Sequence, residues 1–168
     1  MSLINFLNKL NRYLVLILKH LGIWTLTAMM LLTAIGVCLR YVFNSPITGS
    51  FELVEMMMAL IVPFSIVFCA SENGHVQVDI IVEHFSPGVR AFFVFIGNIL
   101  SLILFVLITW QTIIYIAGEY KSGVTSAVLY IPVYPFIGVM AVAFVVLCFL
   151  ILAEILTYII RVIFKWNQ

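Results

Sequence analysis

An all-α integral membrane protein with four transmembrane helices is the fold class this sequence predicts, on three observations. Of its 168 residues, 65% are hydrophobic and only 9% charged, where soluble domains run at roughly 45–50% apolar and about 25% charged. A soluble fold of this size needs a polar surface that these residues cannot make, so lipid must cover most of the outside. The apolar residues also gather into four runs near or above the ~20 residues that cross a bilayer, separated by polar segments rich in proline, glycine and serine. Residues 1–168 read as a single membrane domain without internal repeat or low-complexity tract.

Residues 2–20 come first. Leu3, Leu7, Leu10, Leu14, Ile17 and Leu21 recur at spacings of four and three and so share one helical face. Asn5, Asn8, Asn11, Lys9, Arg12 and Lys19 occupy much of the remainder. This pattern predicts an amphipathic arm lying in the headgroup region; a plain extension of the first span is the competing reading. The basic residues before the apolar run look superficially like a signal peptide. The run is too long for that, and no small-x-small cleavage site ends it.

The first span is expected over about 21–41, with Trp24 and Tyr41 as interfacial aromatics and Arg40 at the exit. Residues 44–50, Asn-Ser-Pro-Ile-Thr-Gly-Ser, supply a turn. A second span over about 52–71 opens with Glu52 and Glu55, acids that oppose the positive end of the helix dipole. Pro63, in its middle, removes one backbone bond and should kink it. The polar stretch 72–90 retains Val76, Val78, Ile80, Ile81 and Val82 and predicts an interfacial segment. A third span follows over about 91–117 and a fourth over about 133–160, both long enough to tilt or protrude. Pro132 and Pro135 would open the fourth helix near its first turn.

Four spans place both termini on one side, and lysine and arginine choose the side. With the N-terminus inside, Lys9, Arg12, Lys19, Arg90, Arg161 and Lys165 lie inside and only Arg40 and Lys121 outside. Both termini are therefore expected in the cytoplasm.

Composition narrows the chemistry. A net charge of +1 offers no basic field for nucleic acid. Cys38, Cys69 and Cys148 stand alone, with none of the pairing that thiolate metal sites or disulfide exchange require; they read as small apolar packing residues. His20, His75 and His84 fall at or beyond span ends, where they cannot face each other across haem. Glu154 is the one acid deep in a span, which would mark an ion path; an interfacial acid is the plainer reading. Arg40 is positioned to pair with Glu52 or Glu55 and close the first hairpin, or these groups meet a partner protein. His75, Asp79 and Glu83 form an i, i+4 row, a possible ligand set but more simply a polar face. Gly97 and Ser101 give one small-xxx-small step, and Met56, Met57 and Met58 read as packing or lipid-facing residues. No catalytic constellation and no cofactor site emerges.

Several segments nevertheless resemble a known family. Arg40-Tyr41-Val42-Phe43-Asn44-Ser45-Pro46 is similar to the arginine–aromatic–turn segment of the small, DctQ-like membrane subunit of tripartite ATP-independent periplasmic (TRAP) transporters. Glu52-Leu53 follows where that family begins its second span. Gly74-His75-Val76-Gln77-Val78-Asp79 looks like its loop after that span, and Ser126-Ala127-Val128-Leu129-Tyr130-Ile131-Pro132 like its approach to the fourth. One departure is Phe51, where the family often has tryptophan before the acid. The resemblance implies a subunit of the bacterial inner membrane that is not an enzyme. Its implied partners are membrane lipid, a large multi-span TRAP subunit that carries substrate and coupling sodium, and a periplasmic binding protein that delivers an organic acid of the sialic acid or dicarboxylate type. Arg40, Glu52, Glu55, His75, Asp79, Lys121, Ser126 and Pro132 are the structural or interface candidates. A membrane anchor of a respiratory or redox complex, and an autonomous exporter working as a dimer, are the alternatives.

Overall fold

The computed structural model describes residues 2–45, 47–71 and 87–166, with side-chain surroundings for 9, 11–45, 47–71, 92–157 and 159. It contains four helices: α1 (Ser2–Val42), α2 (Ser50–Ser71), α3 (Pro87–Ser122) and α4 (Tyr134–Trp166). Each holds a stretch long and apolar enough to cross a membrane. The expected segment between α2 and α3 lies outside the described residues, except that 87–90 form the first turn of α3. At its far end α3 continues past the expected limit of 117 to Ser122.

α1 is 41 residues long, about 60 Å at the α-helical rise, and runs through residue 20 without a break. The amphipathic arm and the first span are thus one helix. Among the described residues only part of its leucine stripe packs: Leu14 lies against the core. Ile17 and Leu21 are exposed, whereas Asn11, Val15 and Leu18 are buried. The reason lies one turn further on. Gly22 shares the face of Asn11, Val15 and Leu18, and a Cβ there would already stand 3.4 Å from Phe64 of α2. A missing side chain lets the two helices approach most closely at that point, and this sets which face of α1 turns inward.

The core is built by α1, α2 and α4. Val15 and Leu18 of α1 meet Phe64 and Val67 of α2 and Leu147 and Ile151 of α4. Pro63 is among the most completely buried side chains. Its ring sits among neighbouring helices, which is how a bundle accommodates the lost backbone bond. Among the described residues, helix α4 is central, touching all three other helices, while α3 touches only α4. One stripe of α3 makes that contact: Phe95, Ile99, Leu102 and Phe105 pack on the core. Thr109 ends the stripe, buried and 3.7 Å from the Cys148 sulfur. Gly97 plays no part, since a Cβ there would meet nothing within 4 Å. Of the most apolar window in each helix, 39% is buried in α4 and 28% in α2, but 6% in α3 and none in α1.

Hydroxyls inside the spans are satisfied locally. Those of Thr25, Thr27, Thr33, Thr109, Thr112 and Thr157 each donate to the carbonyl four residues back. This is the bond available to threonine where no water reaches.

Candidate functional site

The end of the bundle that carries the 43–49 and 123–133 connections is the most elaborated part of the molecule. Two helices arrive there by their C-termini and two depart by their N-termini. The arriving helices are closed by residues in the left-handed conformation, Asn44 (φ 49) after α1 and Gly123 (φ 62) after α3. The N–H of Ser45 donates to Leu39 O at 3.2 Å, and that of Gly123 to Glu119 O at 3.1 Å. Such bonds satisfy the last carbonyls of a helix. Arg40 and Lys121 occupy those last turns, where cations face the negative end of the dipole.

Between α3 and α4 the chain forms a small hairpin. Thr125 and Pro132 pair as an antiparallel bridge, with the Ser126 N–H donating to Ile131 O at 2.9 Å. The Ile131 N–H donates to the Ser126 hydroxyl oxygen at 3.3 Å. Tyr130 takes φ 54 to turn the corner. Pro132 therefore belongs to the hairpin and precedes α4; Pro135 alone lies in that helix's first turn, where the absent N–H costs nothing.

Glu52 joins this hairpin to α2. Its Oε1 accepts the Val128 N–H at 2.7 Å and its Oε2 the Leu129 N–H at 2.9 Å. The Ser126 hydroxyl and the Ala127 N–H lie beside the same carboxylate. Consecutive N–H groups around a carboxylate form an anion-binding nest, and charge-assisted bonds of this kind are the strong ones. Beside it, Gly49 adopts φ 79, and a Cβ on it would fall 2.5–2.9 Å from the Leu129 side chain. Glu52 thus grips the backbone of the turn while Leu129 lies in the space that a glycine leaves. The expected closure of the first hairpin by an ion pair does not occur. Arg40 makes no ion pair with Glu52 or Glu55 among the described residues, because the Glu52 carboxylate is committed to the hairpin.

Glu55, one turn deeper in α2, makes no hydrogen bond or ion pair among the described residues. It stands at the rim of an open cleft of about 350 Å³ between α2, α4 and the hairpin. Met56 and Ala59 of α2 and Phe136, Ile137 and Met140 of α4 give this cleft its apolar wall. Exposed aromatics surround the same end of the bundle: Tyr41, Phe43, Phe51, Tyr120 and Tyr130. Tyr120 and Tyr134 meet edge to face at 5.4 Å between ring centres. Aromatic collars of this kind mark the height of a membrane–water interface.

Of the residues expected to matter, the structure brings Glu52, Ser126 and Pro132 together, with Glu55 beside them. Arg40 and Lys121 end the two neighbouring helices, and His75 and Asp79 lie outside the described residues. His20 Nδ1 pairs with Leu16 O of its own helix at 2.8 Å. Glu154 is half-buried on α4. Two further residues carry weight that sequence reasoning overlooked. Gln111 and Trp110 are both exposed on α3, and the Gln111 amide makes no hydrogen bond among the described residues. A lone glutamine inside an apolar run was the available signal.

Four apolar helices of spanning length, meeting at a polar loop end within an aromatic collar, define a multi-pass membrane protein. The chain belongs to the DctQ component family of tripartite ATP-independent periplasmic transporters, whose profile matches residues 29–161. It is also similar to a Haemophilus influenzae protein whose name describes it as a TRAP transporter small permease. The two are 28% identical over 128 residues, covering 73% of this chain and 78% of that protein. The chain is therefore a component of a transporter.

Proposed function

We propose that this chain is the small subunit that scaffolds a large, multi-span transport subunit. The complex would take up an organic acid, of the sialic acid or dicarboxylate kind, coupled to sodium and delivered by a periplasmic binding protein. One observation supports the scaffold reading most. Among the described residues helix α3 touches only α4, yet it exposes Trp110 and Gln111 about 16 Å inward from its end at Ser122, near the middle height of a bilayer core of about 30 Å. Lipid tails cannot bond the Gln111 amide, and an unsatisfied polar group in hydrocarbon costs several kcal/mol. A second membrane protein can supply the missing partner, and polar side chains commonly join helices in this way.

A carrier domain that moves across the bilayer needs something static to move against. Helices of 41, 36 and 33 residues beside an α2 of 22 residues broaden that static part well beyond the membrane thickness. The balance of lysine and arginine favours cytoplasmic termini. The loop end with Arg40 and Lys121 then faces the periplasm, where the binding protein would dock. Reconstitution of the large subunit into liposomes with and without this chain tests the reading. Transport should require the small subunit, and full transport without it would refute the scaffold role. Reversing the charge of Arg40 or Lys121 should slow transport at limiting binding protein. Unchanged rates would remove this surface from the docking site.

A further inference from the structure

The end of the bundle opposite the connections carries a stripe of α1 that scaffolding does not use. Arg12, Leu16, Lys19, Ile23, Leu26 and Met30 recur at spacings of four and three, so they share one side of the helix. Leu16, Ile23, Leu26 and Met30 are exposed, as is Arg12, while Lys19 is half-buried. Lys19 lies where this side meets α2, with its Nζ 4.5 Å from the centre of the Phe68 ring. A ring face attracts a cation but has no net charge, so it does not neutralise the ammonium. Residues 1–51 contain no aspartate or glutamate, and neither Arg12 nor Lys19 makes an ion pair among the described residues. Two positive charges therefore stand two turns apart on one side of α1, with no anion among the described residues to meet them. Lys9, exposed and three residues before Arg12, carries the charge further outward.

Depth gives the occupant its chemistry. Lys19 lies about 35 Å along α1 from Val42, just past a hydrocarbon core of about 30 Å. Phe68 lies about 27 Å along α2 from Ser50, so both helices put this pair at the same edge of the hydrocarbon. Arg12 is about 10 Å further out, on the headgroup side, and Ile23, Leu26 and Met30 are on the hydrocarbon side. We propose that the stripe holds an anionic phospholipid, with its phosphate between the Arg12 guanidinium and the Lys19 ammonium and an acyl chain along Ile23, Leu26 and Met30. Charged and apolar residues follow one another along the stripe in the order of the lipid's own head and tail. The long stems of arginine and lysine close the gap between the two heads, and charge-assisted bonds to phosphate are strong. Phe68 restrains the Lys19 head, so less freedom is lost when the lipid binds. A zwitterionic lipid has the same phosphate but brings an amine cation to a place that already holds two, so the site prefers net negative charge.

The test needs only the isolated full chain. Purified in detergent and stripped of lipid, it is titrated with phosphatidylglycerol or phosphatidylcholine, and bound lipid is counted by native mass spectrometry. The wild type should bind phosphatidylglycerol about tenfold more tightly than phosphatidylcholine, the scale of effect that two cations at a headgroup surface provide. Arg12→Gln combined with Lys19→Gln should remove this preference. Phosphatidylcholine binding that stays at the wild-type level in that variant would show that the fold is intact. Phe68→Leu keeps both charges and should weaken phosphatidylglycerol binding about threefold; unchanged binding would remove the ring from the site. Lys121→Gln takes one charge from the other end of the bundle and should change neither affinity. Equal wild-type affinity for the two lipids, or a loss in Lys121→Gln as large as in the double variant, would overturn the proposal. A preference that survives the double variant would also overturn it, and weaker retention of a co-purified membrane protein by that variant would then assign the stripe to an acidic protein segment.

Discussion

The loop end of the bundle and the outer face of α3 are opposites in construction. At the loop end the N–H groups of Ser126, Val128, Leu129 and Ile131 all have acceptors. A glycine there is shaped to a leucine, and Glu52 locks the α3–α4 hairpin to α2 through backbone N–H groups. Along α3, Leu100, Leu107 and Trp110 stand more than half exposed, and Gln111 has nothing to bond among the described residues. The first region is finished within this chain, whereas the second requires another molecule. Damage to the first should therefore appear in the isolated chain, and damage to the second only in the assembled complex.

Gly49→Val should have the largest effect. It places a branched side chain at φ 79 and into Leu129, combining backbone strain with overpacking. The expected loss is about 3 kcal/mol of stability in detergent, read as a lower unfolding temperature. Adding Leu129→Ala should recover only part of it, because the backbone strain remains. Full recovery would show that φ at position 49 is unimportant.

Leu147→Ala empties a site that is completely buried in α4. In a membrane the transfer term of the usual core substitution shrinks, since lipid tails are as apolar as leucine. The cost should therefore fall near the lower end of the usual range, about 2 kcal/mol. Leu107→Ala makes the same chemical change on the open face of α3 and should stay within about 0.5 kcal/mol in the isolated chain. Equal costs at the two positions would erase the distinction between a finished core and an unfinished face.

Gln111→Leu should leave the isolated chain as stable as before while weakening retention of the large subunit by about 1 kcal/mol, a typical worth for an interhelical hydrogen bond in a membrane. The smallest and most local effect is that of Glu52→Gln. The amide keeps one acceptor oxygen and loses its charge, so amide exchange at Val128 and Leu129 should accelerate while the rest of α2 and α4 is undisturbed. Unchanged exchange there would mean that the hairpin holds itself without Glu52.

The four spans were legible because lipid demands long apolar runs, and hydropathy reports them without knowledge of packing. The polar segment 44–50 was equally visible as an interruption, Glu52 stood out as an acid at its edge, and Ser126 entered only through the family resemblance. Their union was not legible, since it joins groups far apart in sequence by backbone donors that any residue would offer. Arg40 was the tempting partner for Glu52 because opposite charges invite pairing. The nest of N–H groups satisfies the carboxylate with no need of a cation. The inward face of α1 escaped for a different reason. Helical periodicity found the leucine stripe, but in a bilayer both lipid and protein accept leucine, so the packed face was marked by Gly22 and Asn11.

A static scaffold is tested most directly by a distance across its loop end in the working complex. Spin labels at Ser45 and Val124, with the native cysteines replaced, would report the separation of the two connections during transport. If the chain is the fixed part, the distance distribution should be the same without substrate, with sodium, and with sodium plus loaded binding protein. A shift of its centre when substrate and sodium are added would mean that the small subunit moves with the carrier and is no scaffold.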